Sequence, residues 1–166
     1  MKTAGDILIV DDESDIRLLI GATLRDEGFT TMEAASAMEA RDLLAAKPPG
    51  LAILDIWMRD SDMDGLELLE WVKSVYPEVP VLMISGHGTV ETAVQAIRNG
   101  AYDFIEKPFK EDRLLLMVQR AFEASRLERE NAELRARVSE ELSLIHISEP
   151  TRPERIGDAG VGVKKK

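Results

Sequence analysis

A doubly wound α/β domain, five parallel strands alternating with five helices, is the fold this sequence predicts. Three observations carry that expectation. Short apolar runs recur along residues 5 to about 122, segments with apolar residues at three and four spacing lie between them, and capping or breaking residues mark the junctions. The length of 166 residues suits one ordinary domain plus an appendage.

The strands are expected at 7–10, 30–33, 51–54, 81–85 and 102–106. Four are nearly all apolar, as strands covered on both faces must be, whereas Thr30-Thr31-Met32-Glu33 alternates and reads as an edge. Helical spacing links Ile16, Leu19, Ile20 and Leu24; then Ala40, Leu43 and Leu44; then Leu66, Leu69 and Val72; then Val90, Val94 and Ile97. Ser14, Ser36 and Thr89 stand at N-cap positions, Gly28 and Gly100 at the sites of C′ glycines, and Pro48-Pro49 closes the second helix.

The fifth helix does not stop at ordinary length. Its pattern runs on through Glu141, with Met117, Ala124, Asn131 and Val138 recurring every seven residues and Leu127 and Leu134 between the last three. That fills the a and d positions of about two heptads, and Asn131 at an a position favours a paired helix of fixed register over a solitary one. Residues 142–166 break the pattern. The string from Leu142 to Arg152 back-translates into a transposase sequencing adapter, so this tail is expected to be non-native and without function, His146 and Lys164 to Lys166 included. The expected division is therefore a domain at 5–122, a helical linker at 123–141 and the tail.

Composition excludes several functions. Lys and Arg number 21 against 31 Asp and Glu, a net charge of −10, which disfavours direct nucleic-acid or anionic-membrane binding by this chain. There is no Cys and there are two His, so any metal must be held by oxygen. No signal peptide or membrane-length apolar run is legible, and a cytoplasmic location is expected.

Chemistry gathers where the strands end. Asp11-Asp12-Glu13 follows the first strand and Asp55 the third, on the sheet edge where open parallel sheets bind ligands. Alone, an acidic pair is more simply the dipole partner of the helix that follows it. Here the fourth strand ends in Ser85 and the fifth leads into Lys107-Pro108-Phe109, adding a hydroxyl donor and an ammonium suited to a phosphoryl group. Crowded carboxylates need a cation, and hard oxygen ligands suit Mg²⁺, so a metal-assisted phosphoryl site is expected.

Ile7-Leu8-Ile9-Val10-Asp11-Asp12-Glu13, Leu54-Asp55, Met83-Ile84-Ser85-Gly86 and Lys107-Pro108-Phe109 resemble the signature of two-component response-regulator receiver domains. Leu54-Asp55-Ile56-Trp57, Asp64-Gly65-Leu66-Glu67-Leu68-Leu69 and the stretch from Gly100 to Phe109 are similar to nitrogen-regulation regulators of the NtrX type. The resemblance implies a flavodoxin-like receiver fold with strand order 2-1-3-4-5. It also implies a phosphoacceptor, Asp55, fed by a sensor histidine kinase. Mg²⁺ would sit on Asp12, Asp55 and the Trp57 carbonyl, with Asp11 acting through water. Ser85 and Lys107 would bind the phosphate, and Ser85 with Phe104 would switch the face of helix four, strand five and helix five. A weak homodimer through that face and the C-terminal helix is implied, as is a transcription-activating ATPase and helix-turn-helix part beyond this chain. One departure is that Arg59 stands after Met58 where receivers commonly have Pro, and Gly65 comes about two residues late.

Two other readings share parts of the pattern. A flavin-binding module wants hydroxyl and glycine donors after the first strand, where Asp11-Asp12-Glu13 would repel phosphate. A hydrolase with an Asp nucleophile wants a second carboxylate two residues on, where Trp57 stands. His87, between two glycines, reads as a loop residue.

Overall fold

The computed structural model describes residues 6–58, 63–86 and 89–145, with side chains through 138. The elements alternate from start to finish: β1 (Asp6–Val10), α1 (Ser14–Asp26), β2 (Thr30–Ala34), α2 (Ala37–Ala46), β3 (Leu51–Asp55), α3 (Gly65–Val75), β4 (Val81–Ser85), α4 (Val90–Arg98), β5 (Asp103–Glu106) and α5 (Glu111–Ile145). The strands form one parallel sheet in the order β2-β1-β3-β4-β5. All five carboxyl ends therefore open on the same edge.

Side-chain alternation along each strand feeds two cores. Leu8, Val10, Ala52, Leu54, Val81 and Met83 pack under α2, α3 and α4, against Leu44, Leu68, Leu69, Val72 and Ala96. Ile7, Ile9, Leu51, Ile53, Leu82 and Ile84 pack under α1 and α5, against Ile20, Leu24, Leu114, Val118 and Ala121. Every one of these is fully buried, which is why β1, β3 and β4 read as apolar runs rather than alternating ones.

Punctuation follows the sequence with exceptions that have local causes. Gly28 and Gly100 adopt φ of 95° and 109°, the left-handed conformation that ends a helix without a Cβ penalty. Ser36 and Thr89 accept hydrogen bonds from the N–H groups of Glu39 and Thr92. Ser14 does not cap α1. Glu13 occupies that position and offers no side-chain cap, because its carboxylate is turned to Lys107 instead. β5 begins at Asp103 rather than Tyr102. α3 carries a full capping box that the reading above did not single out: Asp64 accepts from Glu67 N–H and Glu67 accepts from Asp64 N–H.

α5 is helical through Ile145, four residues past the expected limit at Glu141. Met117 is buried in the core beneath α5, so it is not free to open a heptad seam. The part of the helix from Leu127 onward forms a separate unit, within which Leu127, Leu134 and Val138 are each about half exposed. Among the described residues no helix is long and apolar enough to cross a membrane. His146 and the rest of the tail lie outside them.

Candidate phosphoryl and metal site

The site starts where β1 stops. Asp11 is fully buried, and its polar atoms are all spoken for: its N–H donates to the Ala34 carbonyl (3.1 Å), its Oδ1 accepts from Glu13 N–H (2.9 Å) and its Oδ2 from Lys107 Nζ (3.1 Å). Its carbonyl accepts from Arg17 Nη1 at 2.6 Å. β3 runs beside β1 with Val10 opposite Leu54, so Asp55, 3% exposed, emerges next to Asp11. Asp12 completes the group. Carboxylate oxygens of Asp11, Asp12 and Asp55 lie within 4.8 Å of one another.

β4 and β5 supply the other edge. Ser85 is fully buried at the end of β4, and Lys107 N–H donates to its carbonyl at 2.8 Å. The Lys107–Pro108 peptide is cis. From there the Lys107 side chain, 13% exposed, reaches Asp11 Oδ2 (3.1 Å), Glu13 Oε1 (3.2 Å) and Asp55 Oδ1 (3.6 Å). Beside it opens a pocket of about 360 Å³ lined by Ile16, Leu19, Gly86, Lys107, Pro108 and Phe109.

The strand-end carboxylates and the lysine are thus brought into contact, and Ser85 is brought to the same edge. Trp57 follows on the loop after β3 with a half-exposed side chain. Phe104 is half-buried and packs against the core beneath α2 to α4. Arg59 and His87 lie outside the described residues. Two participants have contacts that the sequence did not reveal, Glu13 of the acidic run and Arg17. Glu13 is a further carboxylate on Lys107, and Arg17 binds the Asp11 carbonyl while pairing with Glu33 of β2 through Nε (3.4 Å).

Gly65, the first residue of α3, explains how Asp55 is approached from behind. A Cβ there would stand 2.0 Å from the Asp55 carbonyl oxygen and 2.7 Å from Ile56 Cα, and Gly65 N–H donates to the Ile56 carbonyl at 2.8 Å. Only glycine allows that main-chain contact.

Burial and mutual repulsion set the electrostatics of the acidic cluster. Burial, then the charge of Asp11, with a smaller push from Asp12, raise the Asp55 carboxyl to about 7 against the pull of Lys107. Burial likewise raises Asp11 above the usual carboxylate range, opposed by Glu13 N–H and Lys107. Burial works against the Lys107 ammonium, but Asp55, Asp11 and Glu13 outweigh it and hold its pKa above that of an ordinary lysine. One ammonium cannot balance three aspartates. Three hard oxygen donors, close enough to share one ion, fit a divalent cation that also keeps waters.

Comparison with known proteins agrees with this geometry. Residues 7–119 match the response regulator receiver domain family. The nitrogen assimilation regulatory protein NtrX of Azorhizobium caulinodans is 56% identical over 132 residues, covering 80% of this chain and 29% of that protein. The crystal structure of the NtrX receiver domain from Brucella abortus is 57% identical with a TM-score of 0.69, covering 71% of this chain and 98% of that one. The solution structure of a beryllofluoride-activated NtrC4 receiver domain dimer is 39% identical with a TM-score of 0.68, covering 72% and 98%. The chain accordingly spans less than a third of the regulator from Azorhizobium. With strand order 2-1-3-4-5, acidic strand ends and a lysine reaching across them, it belongs to the response-regulator receiver domains, in the NtrX branch.

Proposed function

We propose that Asp55 is the phosphoacceptor of a two-component relay, fed by the phosphohistidine of a sensor histidine kinase. A carboxylate oxygen of Asp55 attacks phosphorus, the P–N bond breaks, its electron pair returns to the imidazole nitrogen, and an acyl phosphate forms. Lys107 neutralises charge on the transferring group and the Ser85 hydroxyl donates to one of its oxygens. Mg²⁺ held by Asp12, Asp55 and the Trp57 carbonyl, with Asp11 acting through water, would supply the remaining charge neutralisation. The chain acts on no other substrate: it catalyses its own phosphorylation and dephosphorylation. The observation that carries the reading is Lys107 Nζ standing 3.6 Å from Asp55 Oδ1 while anchored on Asp11.

Phosphorylation moves Ser85 toward the new phosphate, Phe104 turns into the space released, and the face of α4, β5 and α5 changes. That face already exposes Val90, Val94, Ile97, Tyr102 and Leu116. A weak homodimer uses it together with the α5 extension, in keeping with the dimer of the NtrC4 receiver. Residues 5–122 are the receiver, 123–141 a linker, and 142–166 a non-native tail. The relay works in the cytoplasm, and DNA binding and transcription activation belong to segments beyond this chain. A flavin-binding reading is disfavoured by the acidic end of β1.

Acetyl phosphate and Mg²⁺ test this directly. One phosphoryl group is expected on Asp55, removed by hydroxylamine and absent in Asp55→Asn. A full mass shift surviving in Asp55→Asn would overturn the assignment.

A further inference from the structure

Asp12 belongs to the acidic cluster, and the peptide that precedes it lies just past Val10, the last residue of β1. The peptide plane between Asp11 and Asp12 is set by the Asp11 carbonyl, and that carbonyl accepts from Arg17 Nη1 at 2.6 Å. Arg17 is itself held. Its Nε faces Glu33 Oε1 at 3.4 Å, its side chain is 17% exposed, and Glu33 sits on β2 opposite Ile9 of β1. Glu33 is in turn met by Arg25 Nη1 at 3.9 Å, which also donates to Thr31 Oγ1 at 2.9 Å.

A chain of contacts therefore runs from the edge strand through Glu33 and Arg17 into the one peptide that carries Asp12. The guanidinium suits this task because it is planar and presents donors in two fixed directions, one for the carboxylate and one for the carbonyl. A lysine ammonium at this place supplies the charge without the fixed fork.

We infer that Arg17, braced by Glu33, is a positioning residue that orients the Asp11–Asp12 peptide and so sets the affinity of the acidic cluster for its divalent cation. It touches no reacting atom and acts through Asp12. The inference rests on the phosphoryl-switch reading and adds to it a control point on the far side of β1.

Electrostatics makes the test sharp. Arg17 is a cation near an acidic cluster, so removing it should tighten cation binding if charge were all that mattered; removing a brace should loosen it. Direct calorimetric titration of the full chain with Mg²⁺ is the readout, beside thermal unfolding in its absence. Arg17→Gln and the charge-preserving Arg17→Lys are each expected to raise the Mg²⁺ Kd by about tenfold, in the range seen when residues supporting metal ligands are removed. Glu33→Asp, which keeps the charge and withdraws it by one methylene, should raise it by a smaller factor. At saturating Mg²⁺ the rate of phosphorylation by acetyl phosphate should return to near that of the parent, since the reacting groups are untouched. Unchanged or tightened Mg²⁺ binding in Arg17→Gln, with Arg17→Lys equal to the parent, overturns the inference. Should Arg17→Gln unfold, Arg17→Lys and Glu33→Asp decide alone. A parent chain that neither binds Mg²⁺ nor accepts a phosphoryl group overturns the underlying reading instead, and this inference with it.

Discussion

The N–H of Lys107 donates to the carbonyl of Ser85 at 2.8 Å, so the ammonium and the hydroxyl proposed to serve Asp55 leave the sheet edge from residues tied by one main-chain bond. The lysine side chain then spans to the opposite side of the site, where Asp11 and Asp55 wait. Replacing it strands buried carboxylates. Lys107→Met should destabilise the cation-free protein by on the order of 1 to 3 kcal/mol, the cost of leaving a buried charge unpaired at a partly open site. Mg²⁺ should recover much of that loss, because it neutralises the same oxygens. Urea unfolding with and without Mg²⁺ checks both halves; equal stability of variant and parent in the absence of Mg²⁺ would contradict the first.

Asp55 makes the cation-free protein sensitive to pH. The unfolded chain releases this proton near 3.8 and the folded chain near 7, so between those values the folded state holds the extra proton. Stability from this group is fully present below about 4 and is lost as pH rises through about 7. Asp55→Asn should flatten that slope and leave the variant more stable than the parent at pH 8, by roughly 1 to 3 kcal/mol. In the parent, Mg²⁺ binding should weaken as pH falls below 7, since the proton competes for the same oxygen. Denaturation midpoints at pH 5 and pH 8 for both proteins decide it; parallel slopes would count against a raised Asp55.

Two glycines should answer substitution differently. At Gly65 an added methyl collides with the Asp55 carbonyl and Ile56 Cα, neither of which can step aside. Gly65→Ala should therefore cost about 3 kcal/mol or more and displace Asp55, as overpacking against backbone does. Gly28 has open space around its missing Cβ but a φ of 95°. Gly28→Ala should cost only about 1 kcal/mol, from conformation alone. Thermal unfolding of the two variants, with phosphorylation rates, separates the cases; a Gly65→Ala protein as active as the parent would refute the close approach.

Leu127, Asn131, Leu134 and Val138 carry a four-three-four spacing in the unit that begins at Leu127, with the three apolar members about half exposed. If this seam pairs with a second copy, Asn131→Leu should tighten association by removing a buried amide and at the same time relax register. Sedimentation across a concentration series, with and without beryllofluoride, checks this. A monomer under every condition would make the helix a solvated one.

How much of this was legible depended on distance along the chain. Strand content, the helices and the carboxylates at the ends of β1 and β3 are local patterns and fall close to where the sequence places them, although Val90, Val94 and Ile97 of α4 are exposed rather than packed. Ser85 and Lys107 were legible because parallel strands bring all carboxyl ends to one edge, whatever their separation in sequence. The Asp64 capping box was written in plain view as Asp-x-x-Glu and simply outranked by the family pattern around it. Arg17 and Glu33 were not legible. Sixteen positions apart, they meet only because β2 lies beside β1, and the register that aligns Glu33 with Ile9 is not encoded in any short motif. The capping of α1 was misread for a related reason: Glu13 was drawn off by a lysine 94 residues away.

The placement of Glu33 also bears on how the protein keeps to itself. β2 is the outer strand on its side, and the unpaired main-chain groups of such a strand invite another chain to dock and extend the sheet. Glu33, partly exposed and met by Arg17 and Arg25 of α1, puts a paired charge on that outer strand, which an incoming strand would have to strip of water. Swapping Glu33 for an apolar residue would leave β2 as a clean template, and aggregation would then follow from a substitution on a different strand from Asp55.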